Sequence, residues 1–381
     1  MRNARLTALV VALLTIILVS TSACSFSKQD HEREAGPFTP QFSGGQAPAT
    51  PTPPPPTSRD KGPCADPDNT VIITCLASTA AVYPGPSAQD AFVAERTTGK
   101  VLSTLPGTWK LLTLAQFDVD ASGDGGLMDF AFSPTYSQDH LIYAYITTPS
   151  DNRIVRIAPG DVAKPILTGI PKGPTGNLGS MMFVGDQLVV ATGDAGNPGA
   201  ANDPGSLAGK MLVLGSINVG SPAPPRILVS GLGNSPAMCP EADSDNFYIS
   251  DQAVGGDRLQ QISLHADTAS GNVSVTGPPK VLWTWPDQPG VAGCAAAGGT
   301  VMVSETKTQR IESLVPPTDK NPTMEAPKVV LEKRFGALGR GAAGQAGFVF
   351  ATVNKQYGKP GKTDDRVFII PPSAGQTEDR D

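Results

Sequence analysis

Asp194 lies in the stretch Ala191–Gly215, ATGDAGNPGAANDPGSLAGKMLVLG. An apolar run enters this stretch and another leaves it, and the residues between are mostly Gly, Pro, Asn and Asp. Connections in compact domains are usually about 4–6 residues long, and longer ordered ones commonly carry function. A carboxylate in such a loop has two chemical uses. It takes part in acid–base work in a pocket, directly or by orienting a base. Or it accepts hydrogen bonds from the loop's own amides, which Asp does readily. Both uses stay open for Asp194. Asn197-Pro198-Gly199 and Asp203-Pro204-Gly205 each suit a type II turn, so the loop is expected to be ordered.

A second group of acids runs through DVDASGDGGLMD: Asp118, Asp120, Asp124 and Asp129, with Ser122 and Gly123 between them. Oxygens at this spacing resemble a D-x-D-x-S-G calcium loop, which makes Asp118, Asp120 and Asp124 candidate metal ligands. No helical pattern flanks them, and Leu127-Met128 read as the start of a buried strand. The alternative is an acidic turn between strands. His31, His140 and His265 fall in a Pro-rich segment, in a turn and after an apolar run, and read as surface histidines. The sequence holds no Ser–His–Asp set, phosphate-binding glycine loop or His/Cys metal cluster.

Short β-rich runs and turn residues position these acids, with no long stretch of helical period. Six of the runs resemble one another. They begin at Phe92, Ile142, Val189, Phe247, Val301 and Phe348, and each carries a small residue late in its strand: Ala94, Ala144, Ala191, Ser250, Ser304 and Ala351. These recur 47 to 59 residues apart. A turn follows each, then a basic residue opening a second strand: Lys100, Arg153, Lys210, Arg258, Arg310 and Arg366. A hairpin repeated at this period is the signature of propeller blades, which must stack because a lone hairpin is marginal in water. The expected fold is all-β, a six-bladed β-propeller over residues 63–372. The Asp194 loop is the turn of its third unit.

The N-terminus reads as a targeting segment. Arg2 and Arg5 precede an apolar run too short to be a comfortable membrane span, and small residues lead to Cys24. This is the pattern of a bacterial lipoprotein signal over 1–23, with lipidation on Cys24 and a stable anchor to the outer face of the cell membrane. Residues 24–62 form a Pro-rich tether without apolar periodicity, and 373–381 a tail. Loss of Arg2 and Arg5 takes the formal charge from −6 to near −8, and no basic cluster suggests nucleic acid as a partner. An exported chain with Cys64, Cys75, Cys239 and Cys294 suggests two disulfides. Three connectivities are possible, and Cys64–Cys75 with Cys239–Cys294 is favoured because the first two lie close in sequence.

The runs GDGGLMDFAFSPTY, LIYAYIT and NRIVRI, followed by LVVATGDAGNPGAANDPGSLAGKMLVL, resemble the glucose/sorbosone dehydrogenases. The resemblance covers about residues 85–370 and is strongest over 123–214. It implies a six-bladed propeller that oxidises aldose sugars with pyrroloquinoline quinone (PQQ) and calcium. A histidine would act as base, an aspartate would orient it, and Arg, Lys and Asn would hold the cofactor's carboxylates and carbonyls. On this resemblance Asp194 matches the orienting aspartate, and Asn234, Lys307 and Arg340 match cofactor-contacting residues. Asp124 stands where the family usually has Glu or Gln. Gly176 stands where the family has its histidine, Gly233 where it has a cofactor arginine, and Ala342 where it has the second arginine of a pair. DQAVGGD only loosely matches the calcium-binding loop of the fourth blade.

Three functions are therefore expected as alternatives. A catalytically degenerate, membrane-anchored propeller would bind a sugar, a cell-envelope component or another partner. A PQQ-dependent aldose dehydrogenase would work with a rearranged site. A structural envelope protein would dock another protein on its propeller face.

Overall fold

A computed structural model describes residues 62–105, 108, 110–220, 223–242, 244, 246–267 and 271–371. The signal segment, Cys24, the tether up to residue 61 and the tail from 373 lie outside the described residues.

The described chain forms six four-stranded antiparallel sheets. Strand β1 is Val71–Ile73. Blade one holds β2 (Thr79–Pro84), β3 (Ala91–Glu95), β4 (Lys100–Thr104) and β5 (Leu111–Gln116). Blade two holds β6 (Leu127–Phe132), β7 (Ile142–Thr147), β8 (Asn152–Ile157) and β9 (Lys164–Ile170). Blade three holds β10 (Gly179–Val184), β11 (Gln187–Thr192), β12 (Lys210–Val213) and β13 (Arg226–Ser230). Blade four holds β14 (Ala237–Pro240), β15 (Asn246–Ala253), β16 (Gly256–Ala266) and β17 (Val273–Trp285). Blade five holds β18 (Val291–Ala297), β19 (Thr300–Glu305), β20 (Arg310–Leu314) and β21 (Lys328–Glu332). Blade six holds β22 (Leu338–Gly344), β23 (Gly347–Thr352) and β24 (Val367–Ile370), and β1 completes it as the outermost strand, with Val71 opposite Phe368. The first strand among the described residues thus closes the ring.

The repeated hairpin is the middle pair of strands in every blade. Its six small residues, Ala94, Ala144, Ala191, Ser250, Ser304 and Ala351, are all fully buried. The apolar residues divide into six clusters, each shared by two neighbouring blades. The core is therefore six wedges between sheets, and small side chains let adjacent sheets pack closely. The basic residue after the turn finds an acid nearby in four blades: Arg153 with Asp151, Arg258 with Asp251, Arg310 with Glu305, Arg366 with Asp364.

Inner strands crowd toward the axis, and their composition follows from this. Strands β18 (VAGCAAA) and β22 (LGRGAAG) are almost all Gly and Ala. A Cβ on Gly341 would stand 2.3 Å from the Phe350 ring, and one on Gly179 2.0 Å from the Tyr145 ring. Disulfide Cys239–Cys294 links β14 to β18 across two blades, and Cys64–Cys75 staples the segment around β1. Both favoured pairings are present.

Candidate functional site

One face of the ring holds a cleft of about 880 Å³. It is built from the loops that enter the inner strands and from the turns of the repeated hairpins. The loop entering β6 supplies Asp124, and the loop entering β10 supplies Thr175. Asp194 comes from the third-blade turn, and Asn234 and Ser235 from the loop entering β14. Gln252 and Asp257 flank the fourth-blade turn, Lys307 lies on the fifth, and Gln356 and Tyr357 on the sixth.

The third-blade loop is ordered by its own hydrogen bonds. Asp194 Oδ1 accepts from Gly196 N at 2.9 Å, and Ala195 and Gly196 take φ of +57° and +70°. Asp194 therefore caps its own turn, the second of the two uses its sequence context offered, and it also lines the cleft. Lys210 is fully buried and donates to the carbonyls of Ala200, Ala201 and Ala208 at 3.0, 2.6 and 3.0 Å. It is a cation tied to backbone dipoles, and these bonds hold the loop against β12. The two expected type II turns are absent. Pro198 opens a five-residue helix, Pro198–Asn202, and neither Gly199 nor Gly205 takes a positive φ. The fixed φ of proline suits a first helical position as well as a turn, and Asp203 Oδ1 orders the second tripeptide by accepting from Gly205 N at 2.8 Å.

Two glycines next in sequence to cleft-lining residues stand where a side chain has no room. A Cβ on Gly176 would stand 2.5 Å from Asp194 Oδ1 and 2.5 Å from Gly196 N. A Cβ on Gly233 would stand 2.0 Å from Gln252 O. Both gaps are far below van der Waals contact, so the chain's own atoms fill these positions. Hydrogen bonds fix the arrangement. Gly176 N donates to Asp124 Oδ2 at 2.7 Å, Asn177 Nδ2 to Asp124 Oδ1 at 2.6 Å, and Gly233 N to Asp251 Oδ2 at 2.7 Å.

The three acids that were candidate metal ligands do not converge. Asp120 pairs with Lys172 Nζ at 2.5 Å, Asp124 is committed to Gly176 and Asn177, and Asp118 is exposed. Among the described residues no group of three or more His, Cys, Asp or Glu is placed to hold a metal ion. Direct hydrogen bonds from an ammonium and from backbone amides take the oxygens that the loop spacing offered.

Asp194, Asn234, Lys307 and Asp124 do meet in the cleft, whereas Arg340 is not among its lining residues. Arg340 projects from β22 toward the inner strands opposite. Its Nη2 donates to Gly179 O at 2.5 Å and Pro236 O at 2.9 Å, and its Nη1 lies 3.6 Å from Asp129 Oδ2. Asp129 also accepts from Tyr83 Oη and Met181 N, both at 2.8 Å. Arg340 is a strut across the axis, joining inner-strand segments of blades two, three, four and six. His140 and His265 are exposed and lie away from the cleft.

The cleft is acidic. Asp124, Asp194 and Asp257 line it, against Lys307. Burial, with repulsion from Asp251 and Asp124, raises the Asp194 pKa above the usual carboxylate range even though backbone hydrogen bonds oppose the shift. Burial also raises that of Asp257, opposed by the amides of Val291 and Gly290 and by Lys307. Gln252 and Asp257 belong to the DQAVGGD turn, whereas Ser235 and Tyr357 are absent from the candidates read from the sequence. Their one signal was position, because every repeated turn and every inner-strand entry falls on the same face of a propeller.

Residues 80–263 match the Glucose / Sorbosone dehydrogenase family. The PQQ-bound aldose sugar dehydrogenase of Streptomyces coelicolor is 27% identical, with 78% of this chain and 95% of that one covered and a TM-score of 0.66. The glucose dehydrogenase-type putative oxidoreductase of Thermus thermophilus is 23% identical over 78% of this chain and 98% of that one, TM-score 0.64. The apo soluble aldose sugar dehydrogenase of Escherichia coli is 18% identical over 79% and 98%, TM-score 0.59. The last two show the fold alone. No curated protein matches the chain.

Proposed function

We propose that this chain is a sugar-dehydrogenase-like propeller without the redox centre, and that its cleft binds a small polar ligand. The packing at Gly176 carries the reading. The place implied for the catalytic base has no side chain, and Asp194 and the Gly196 amide occupy the space a side chain would need. Gly233 repeats the situation at the place implied for a cofactor arginine. The lining does not fit a quinone bearing carboxylates, since Lys307 faces three carboxylates and Arg340 is engaged at the axis. Lipid on Cys24 would hold this propeller at the outer face of the cell membrane, within reach of sugars and envelope components.

The identity to a PQQ-bound enzyme, and the presence of Asp194, Asn234 and Lys307 in one cleft, favour a second reading. In it the chain is a PQQ-dependent aldose dehydrogenase with a rearranged site. Incubation of the full chain with PQQ and calcium, followed by aldose-dependent dye reduction and by dialysis to measure bound quinone, separates the two. Neither turnover nor quinone retention is expected. Turnover abolished by Asp194→Ala would establish the second reading instead. Absence of quinone binding together with absence of sugar binding would favour protein docking, which crosslinking in the envelope would then test.

A further inference from the structure

We infer that the cleft recognises an ammonium group, seated by Asn234, Ser235 and Asp194. This rests on the reading of the cleft as a binding site.

Ser235 lines the cleft yet is only 3% exposed, and its hydroxyl makes no hydrogen bond among the described residues. The Asn234 side-chain amide, also on the cleft wall, is likewise uncommitted, although its backbone N donates to Gln252 O. Neither side chain is tied to another group among the described residues, so both are free to hydrogen-bond a molecule that enters the cleft. Asp194 is adjacent, since its backbone N donates to Gly233 O at 3.1 Å. It is 4% exposed. The three side chains offer a carboxylate oxygen, an amide carbonyl and a hydroxyl oxygen. An ammonium has three donors and no acceptor, so it matches this set.

Charge selects the same class. Asp124 and Asp257 stand on the same cleft, and the raised pKa of Asp194 reflects burial together with repulsion by neighbouring carboxylates. A cation relieves that repulsion and an anion adds to it. Lys307, the cation of the wall, is drawn aside by Gln288 O at 2.9 Å. Tyr357 contributes a half-exposed ring to the wall, a surface against which the body of a cationic ligand can pack.

Isothermal titration of the purified full chain with D-glucosamine, D-glucose and D-gluconate tests the inference on one carbon skeleton. Glucosamine is expected to bind about tenfold or more tightly than glucose, with gluconate weakest, and to weaken as salt rises. Asp194→Asn is expected to lower glucosamine affinity about tenfold. Ser235→Ala is expected to lower it several-fold with the unfolding midpoint unchanged, which keeps the test independent of any effect of Asp194 on folding. Equal binding of glucose and glucosamine would overturn the ammonium seat while leaving a binding cleft. Binding of none of the three, or exclusion of glucosamine by calcium, would also overturn it. Quinone-dependent dye reduction would instead remove the reading beneath it.

Discussion

Asp194 Oδ1 lies 2.5 Å from the point where a Cβ on Gly176 would stand, and Gly176 has φ of +74°. Contact and conformation both exclude a side chain there. Gly176→His is therefore expected to give no quinone-dependent turnover. It should cost about 2–4 kcal/mol of stability, through left-handed strain and overpacking. Urea unfolding beside a dye-reduction assay checks both. A stable, redox-active variant would refute the packing argument.

Lys210 is a buried cation whose partners are three carbonyls of its own loop. Burial lowers its pKa, with Asp203 acting in the opposite direction. Lys210→Met keeps most of the volume and strips the carbonyls of a donor. The expected loss is about 2–3 kcal/mol. Hydrogen exchange should rise across 197–208 more than in the inner strands, because the bonds that are lost belong to the loop. Uniform exchange across the third blade would assign Lys210 a purely global role.

Arg340 and Asp129 form the charged centre of the axis, 3.6 Å apart. Arg340→Ala leaves a fully buried carboxylate without its cation, which is expected to cost about 3–5 kcal/mol. Asp129→Asn in the same chain should recover part of that loss, since Asn asks for no counter-charge. A double-mutant cycle by chemical denaturation measures the coupling. Additive effects would show that the pair does not interact.

Asp365 is fully buried, and burial, followed by the neighbouring Asp364 charge, raises its pKa to about 6 from 3.8. The folded chain then holds a proton that the unfolded chain releases. Stability from this group is complete below pH 3.8 and declines as pH rises toward about 6. The shift corresponds to about 3 kcal/mol between the two limits. Asp365→Asn is neutral at every pH, so its stability should lack this decline. Unfolding midpoints of both chains from about pH 4 to about pH 7 are the measurement. Parallel pH profiles would sink the assignment.

The fold was legible where chemistry repeats. Each middle hairpin carries an apolar run, a small residue that sits between blades and a basic residue after the turn, as in Phe247–Arg258. The inner strands were not legible in the same way. Strand β22 reads LGRGAAG and shows no strand pattern, because its composition answers to crowding at the axis rather than to a half-buried sheet surface. The site was half legible. Asp194, Asn234 and Lys307 share the cleft, while Ser235 and Tyr357 became visible only when separate loops met on one face.

By itself the sequence determined the class of architecture, the address of the Asp194 loop and the absence of a side chain at positions 176 and 233. Those properties are local, or repeat at a fixed period. Only the tertiary structure decided whether the two glycines leave open space or filled space, where Arg340 directs its guanidinium, and whether three acids spaced like a calcium loop share a centre. Each of these depends on atoms distant in sequence. The Gly233 position is filled by the carbonyl of Gln252, Arg340 reaches Gly179 and Pro236, and Asp120 is taken by Lys172.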